Sequence, residues 1–118
     1  MASCTVVGVI ETVALTHSAA LARLGSALSD GTRVRILLAL REAPAIPSDL
    51  ADALGVSRQV MSNQLACLRG CGLVEGVREG RSTWYRLSDP QIAAALEDML
   101  RLVLFVDPAC CAGESCTC

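Results

Sequence analysis

Lysine is absent from this chain: its ten basic residues are all arginines, set against twelve aspartates and glutamates. The formal net charge of −2 excludes a globally basic surface, so any binding of nucleic acid has to come from a local patch. Aromatic residues are almost as scarce, with one Phe, one Tyr and one Trp making up 3% of the chain. A core so poor in aromatics is built from Leu, Val, Ala and Ile, which favours helices packed through aliphatic stripes. His17 is the one histidine, and no cysteine has an obvious carboxylate base, so nothing activates a thiol nucleophile and no enzyme is expected. There is no run of about 18 uncharged apolar residues, which excludes a membrane-spanning helix. The opening MASCTVVGVIETVAL is mildly apolar but carries Glu11 and lacks both a basic leading region and a cleavage site, so it is not read as a signal peptide. A cytoplasmic protein is expected.

What is present is one domain's worth of sequence, 118 residues with 53% apolar and 19% charged side chains. It includes seven cysteines. A disulfide scaffold would spread them as staples, yet none lies between Cys4 and Cys67, and Cys110, Cys111, Cys116 and Cys118 crowd the last nine residues. In a reducing compartment, clustered thiols are metal ligands or redox groups more often than bridges.

Along the chain, residues 1–17 read as an N-terminal arm or short helix, 18–106 as the body of the domain and 107–118 as a cysteine-rich tail. Leu21, Leu24 and Leu28 recur at helical spacing, and Asp30 caps the helix TRVRILLALRE, which stops at Pro44. Pro47 opens the helix SDLADAL, ended by Gly55, and Ser57 caps RQVMSNQLACLRG, whose inner stripe is Met61, Leu65 and Leu68. The period then changes: Leu73–Arg78 and Thr83–Leu87 are strands joined as a hairpin through Glu79, Gly80, Arg81 and Ser82. The last helix, QIAAALEDMLRLVLFV, is more apolar than one small domain needs, which suits a homodimer interface formed by the N- and C-terminal helices.

Helix, tight turn, helix and hairpin over residues 48–87 form a winged helix-turn-helix, a mainly α fold with a β-hairpin wing. Gly55 allows the bend, Val56 plugs the core, and Ser57 caps a helix whose outer residues Arg58, Gln59, Ser62, Asn63 and Gln64 are, with Ser57 itself, the candidate DNA contacts. Arg, Gln and Asn are the side chains that contact guanine or adenine edges through two hydrogen bonds. Residues 47–87 hold five arginines against four acids, while the rest of the chain sums to −3. On the hairpin, Arg78, Arg81 and Arg86 are candidates for phosphate contacts.

The runs ALSDGTRVRILLAL and LADALGVSRQVMSNQLACLRGCGLVEGVREGRSTWYRL resemble the ArsR/SmtB family of metal-responsive repressors, over roughly residues 19–105. Within that family, SNQLACLRGCGLV, the entry ALARLGSALSDGTR and the exit VLFVD are similar to the cadmium- and lead-sensing type. The resemblance implies a homodimer that binds a double-stranded inverted-repeat operator without metal and leaves it with metal. It implies no membrane partner and no small organic substrate. Two family ligand sites are missing: PSDLADAL lacks the cysteine pair many relatives carry there, and the last helix has no histidine, which argues against a zinc or nickel sensor.

Cys67 and Cys71 remain, four apart and on one helix face. Soft-metal sites take three or four sulfurs, and the tail DPACCAGESCTC has four. The resemblance places one tail ligand just after the last helix, contributed by the other subunit; Cys110 matches best, with Cys111 beside it. Cys116, Cys118 and Cys4 are accessory candidates. All-sulfur ligation selects Cd(II) or Pb(II), with As(III) or Sb(III) as the alternative inducers. Two other readings compete: a thiol redox switch on the same DNA-binding fold, and a metal chaperone that uses the tail.

Overall fold

The computed structural model describes residues 13–102, and the structural statements below concern these. Helix α1, Val13–Ala27, carries His17 on its exposed surface, so this histidine sits on a continuous helix that begins earlier than the leucine spacing indicates. Asp30 ends the following turn and starts α2, Gly31–Glu42: its carboxylate accepts from the backbone N–H groups of Thr32 and Arg33 at 2.8 and 3.1 Å. These are two of the donors that a helix start leaves without internal partners. Helix α3, Pro47–Leu54, has proline in its first turn, where the missing N–H costs nothing. It closes on Gly55 at φ 68°, in the left-handed region that glycine enters without a Cβ penalty.

Helix α4, Arg58–Gly70, begins on the Ser57 hydroxyl, which accepts from Val60 N–H at 3.1 Å. It ends in a Schellman turn: Leu73 N–H donates to Leu68 C=O at 3.0 Å around Gly72, whose φ is 79°. Leu73 is spent in that turn, so strand β1 starts one residue later than the hydrophobic run suggests, as Val74–Glu79. It pairs antiparallel with β2, Ser82–Leu87, from Val74 opposite Leu87 to Glu79 opposite Ser82. Gly80 and Arg81 make the two-residue turn, with Gly80 at φ 63°. Reciprocal backbone bonds between Ala45 and Tyr85, at 3.0 and 2.8 Å, tie the hairpin to the loop before α3. Helix α5, Pro90–Leu102, completes the described chain.

Ala27, Ile36, Leu37, Leu40, Leu50, Ala51, Met61, Leu65, Leu68, Val74 and Leu96 make one aliphatic core to which every helix contributes. Arg33 is also buried, at 5% exposure. Its guanidinium donates to Ala27 C=O at 2.9 Å, Ser26 C=O at 3.0 Å and the Gln64 side-chain oxygen at 3.0 Å. One side chain thus satisfies carbonyls at the end of α1 and fastens α4 to the α1–α2 corner. All three acceptors are neutral, so the charge is held by hydrogen bonds rather than by an ion pair.

Replacing Arg33 with methionine keeps most of the aliphatic volume and deletes every donor. We expect Arg33→Met to cost about 2–4 kcal/mol in urea unfolding, with Gln64→Ala costing about 1 kcal/mol. An Arg33→Met protein within about 0.5 kcal/mol of the parent would show that the latch contributes nothing.

Candidate nucleic-acid interface and thiol pair

The roll of α4 is set by three side chains. Met61, Leu65 and Leu68 are 0%, 1% and 0% exposed, so the helix has one permitted orientation against α2, α3 and β1. The turn before it is equally fixed: Val56 N–H donates to Ala51 C=O at 3.1 Å, and Arg35 reaches across to donate to Leu54 C=O at 2.9 Å. The outward face then presents Arg58, Gln59, Ser62 and Asn63, all exposed. Gln59 and Asn63, one turn apart, are bonded to each other, the Gln59 amide donating to the Asn63 oxygen at 3.0 Å. Ser57 spends its hydroxyl on the cap. Gln64 is half-buried and turned inward to Arg33, which gives it a bracing role within the domain.

On the wing, the three arginines differ. Arg86 is paired with Glu75 across the strands at 2.6 Å, and Arg78 donates to the carbonyl of Gly80 at 3.1 Å. Arg81 lies exposed at the turn and has no ion-pair partner among the described residues. It is therefore the wing cation most available to a phosphate.

Cys67 and Cys71 lie at the opposite end of α4 from Arg58, Gln59, Ser62 and Asn63. Cys71 is the C-cap residue, held in the Schellman turn by its own N–H to Cys67 C=O at 3.0 Å, and both cysteines are half-buried. Cys71 is a free thiol, and Cys67 is disulfide-bonded. Burial pushes the Cys71 thiol up from its ordinary range, partly offset by the guanidiniums of Arg33 and Arg23. Among the described residues no three potential ligands cluster. The remaining candidates Cys4, Cys110, Cys111, Cys116 and Cys118 lie outside the described residues.

Sequence reasoning missed two participants. Arg33 reads as an ordinary surface arginine in TRVRILLALRE, because its partner Gln64 is 31 residues away. Val60, which hydropathy alone would send to the core, stands 40% exposed next to Gln59 in the chain.

Fold and site together define a winged helix-turn-helix protein, with α3 and α4 as the paired helices and β1–β2 as the wing. Residues 30–76 match the family model "Bacterial regulatory protein, arsR family". The chain is 52% identical over 91 residues to the HTH-type transcriptional regulator CmtR of Mycobacterium bovis, covering 77% of each chain, and it belongs to the ArsR family of DNA-binding transcriptional regulators. The NMR structure of the cadmium metal-sensor CmtR from Mycobacterium tuberculosis superposes with a TM-score of 0.62 at 50% identity, covering 75% of this chain and 92% of that one. The homodimeric winged helix-turn-helix domain of Mb0332 from Mycobacterium bovis gives a TM-score of 0.71 at 27% identity, over 84% and 91% of the two chains. Family members are regulators rather than enzymes, and no described helix is long and apolar enough to cross a membrane.

The exposed groups should separate by role. Arg58→Ala and Asn63→Ala are expected to cost about 1–3 kcal/mol in operator affinity and to relax base preference. Arg81→Ala should weaken all sequences alike and lower the salt slope by about one. Competition gel shifts across salt concentrations measure both, and unchanged affinity and preference for Asn63→Ala would remove that residue from the readers.

Proposed function

We propose that the chain is a metal-sensing repressor that binds an inverted-repeat operator as an apo homodimer and dissociates when its thiolates take a thiophilic ion, Cd(II) or Pb(II). The observation that carries this reading is that Cys67 lies on the helix that presents Arg58, Gln59 and Asn63 and Cys71 caps the end of that helix, so a ligand at one end of α4 acts on the element that meets DNA at the other. Two soft sulfurs one turn apart suit a thiophilic ion and are wrong for magnesium or calcium, which take oxygen ligands. They do not complete a site. Cys110 or Cys111 of the tail supplies the third thiolate, from the partner subunit, with Cys116, Cys118 and Cys4 as accessory groups. The cadmium-sensing relative supports the choice of ion. For the dimer, the support is a homodimeric neighbour together with exposed Leu21 on α1 and Leu100 and Leu102 on α5.

One observation favours a second reading, the thiol redox switch: Cys67 is disulfide-bonded. A disulfide sulfur is not a thiolate ligand, so two-electron reduction has to precede metal binding at this residue.

Gel-shift titrations under a reductant that does not chelate metal distinguish these readings. Release by Cd(II) in the reduced protein, with a thiolate-to-metal ultraviolet band and Zn(II) acting more weakly, is the expected result. Release only upon oxidation would establish the redox switch, a preference for As(III) over Cd(II) would change the ion, and no operator binding at all would overturn both readings. Cys67→Ser and Cys71→Ser should each leave a repressor that holds DNA without responding. In mixed dimers joining a Cys67→Ser/Cys71→Ser subunit to one lacking residues 109–118, one complete site survives only if ligation crosses the subunits.

A further inference from the structure

Of the large apolar side chains that stand exposed among the described residues, Leu21, Leu100 and Leu102 lie on the terminal helices and Trp84 on the wing. Val60 lies apart from them, 40% exposed in the first turns of α4. The core does not use it, since the buried stripe of this helix is filled by Met61, Leu65 and Leu68. Its backbone is held by the Ser57 cap, and it sits between Gln59 and Asn63 in the chain. Valine is also stiff at χ1, so its two methyl groups are presented with little freedom to lose on contact.

The neighbouring amides indicate what those methyl groups meet. The bond between Gln59 and Asn63 uses a Gln59 N–H and the Asn63 oxygen, leaving the Gln59 oxygen as acceptor and the Asn63 amide N–H groups as donors. One acceptor beside one donor complements the N6 amino group and N7 of adenine in the major groove. The pyrimidine opposite adenine is thymine, the base that carries a 5-methyl group in that groove. We infer that Val60 is a specificity residue that packs on the 5-methyl group of a thymine in each operator half-site, beside an adenine read by the Gln59–Asn63 pair. This rests on the reading that α4 enters the major groove, and it adds an apolar contact with the 5-methyl group that the amides alone do not make.

Deoxyuridine differs from thymidine only in lacking that methyl group, which makes the test direct. The operator is first selected from a random duplex pool with the full-length reduced apo protein, and each thymine is then replaced in turn by uracil. At one thymine per half-site the replacement is expected to weaken binding by about fourfold, the value of one methylene-sized apolar group withdrawn from water. With Val60→Ala, thymine and uracil should bind alike at that position, while Val60→Ile should restore the discrimination. Alanine is a better helix former than valine and the site is exposed, so the variant retains the fold. Selection of no operator by the parent protein would overturn the DNA-binding reading itself. An operator that binds but shows no uracil-sensitive thymine, or one whose sensitivity persists in Val60→Ala, would overturn the role of Val60 alone. Dissociation of the dimer in Val60→Ala with uracil sensitivity unchanged would assign the valine to the subunit contact instead.

Discussion

A helix of thirteen residues has room for one buried stripe, and in α4 that stripe is Met61, Leu65 and Leu68, each essentially sealed from water. Each such side chain is worth about 1.5–3 kcal/mol relative to exposure, so rolling the helix to bury any other face costs an amount comparable with the whole stability of a domain of this size. Everything functional follows from that constraint. Gln59, Ser62 and Asn63 are outside because they occupy the positions the stripe leaves free, and Cys67 and Cys71 are only half-covered because they flank it. The same argument leaves Val60 in water: it precedes Met61 in the chain and so points well away from the direction in which Met61 is buried.

Orientation also has to be protected at the helix ends, where backbone groups lack internal partners. Polar side chains and glycines do this with little redundancy. Ser57 closes the start of α4, Gly72 closes its end, and Gly55 lets α3 stop in time for the turn. Arg33 holds the middle, fixing Gln64 against the corner between α1 and α2. The cap that terminates α4 also places Cys71, so one local motif both ends the helix and positions a candidate ligand.

Local chemistry is legible in the sequence wherever a residue type has one dominant use. Asp30, Pro47, Gly55, Ser57 and the Gly80 turn announce their elements because capping and positive φ select few residues, and the Met61, Leu65 and Leu68 stripe follows from helical period. The reach of α1 back to Val13 was not legible, because His17 reads equally well in an arm or on a helix. Nor was the turn of Gln64 toward Arg33, since polarity alone placed it among the outward residues while its partner lies in a different helix. Arg86 has the same ambiguity, resolved by the strand register that sets Glu75 opposite it. The spacing of Cys67 and Cys71 was visible at once, but a site completed by the tail or by a second chain leaves no local periodicity to read.

The buried stripe further restricts how an ion at the thiols can alter DNA affinity in the proposed repressor. Allosteric couplings are typically about 1–3 kcal/mol. Withdrawing Met61, Leu65 and Leu68 from the core by rolling α4 costs several times that, so the helix has to keep its packing in both states. What remains free to change is the placement of one intact winged domain relative to the other. The exposed leucines on α1 and α5 fit that division, since they lie on the helices outside the α3–α4 pair and provide an apolar surface on which two rigid domains can settle in more than one arrangement. A bridge from the end of α4 to the partner's tail then selects the arrangement in which the two reading helices no longer match successive major grooves, and by reciprocity the operator selects the one in which that bridge is harder to close.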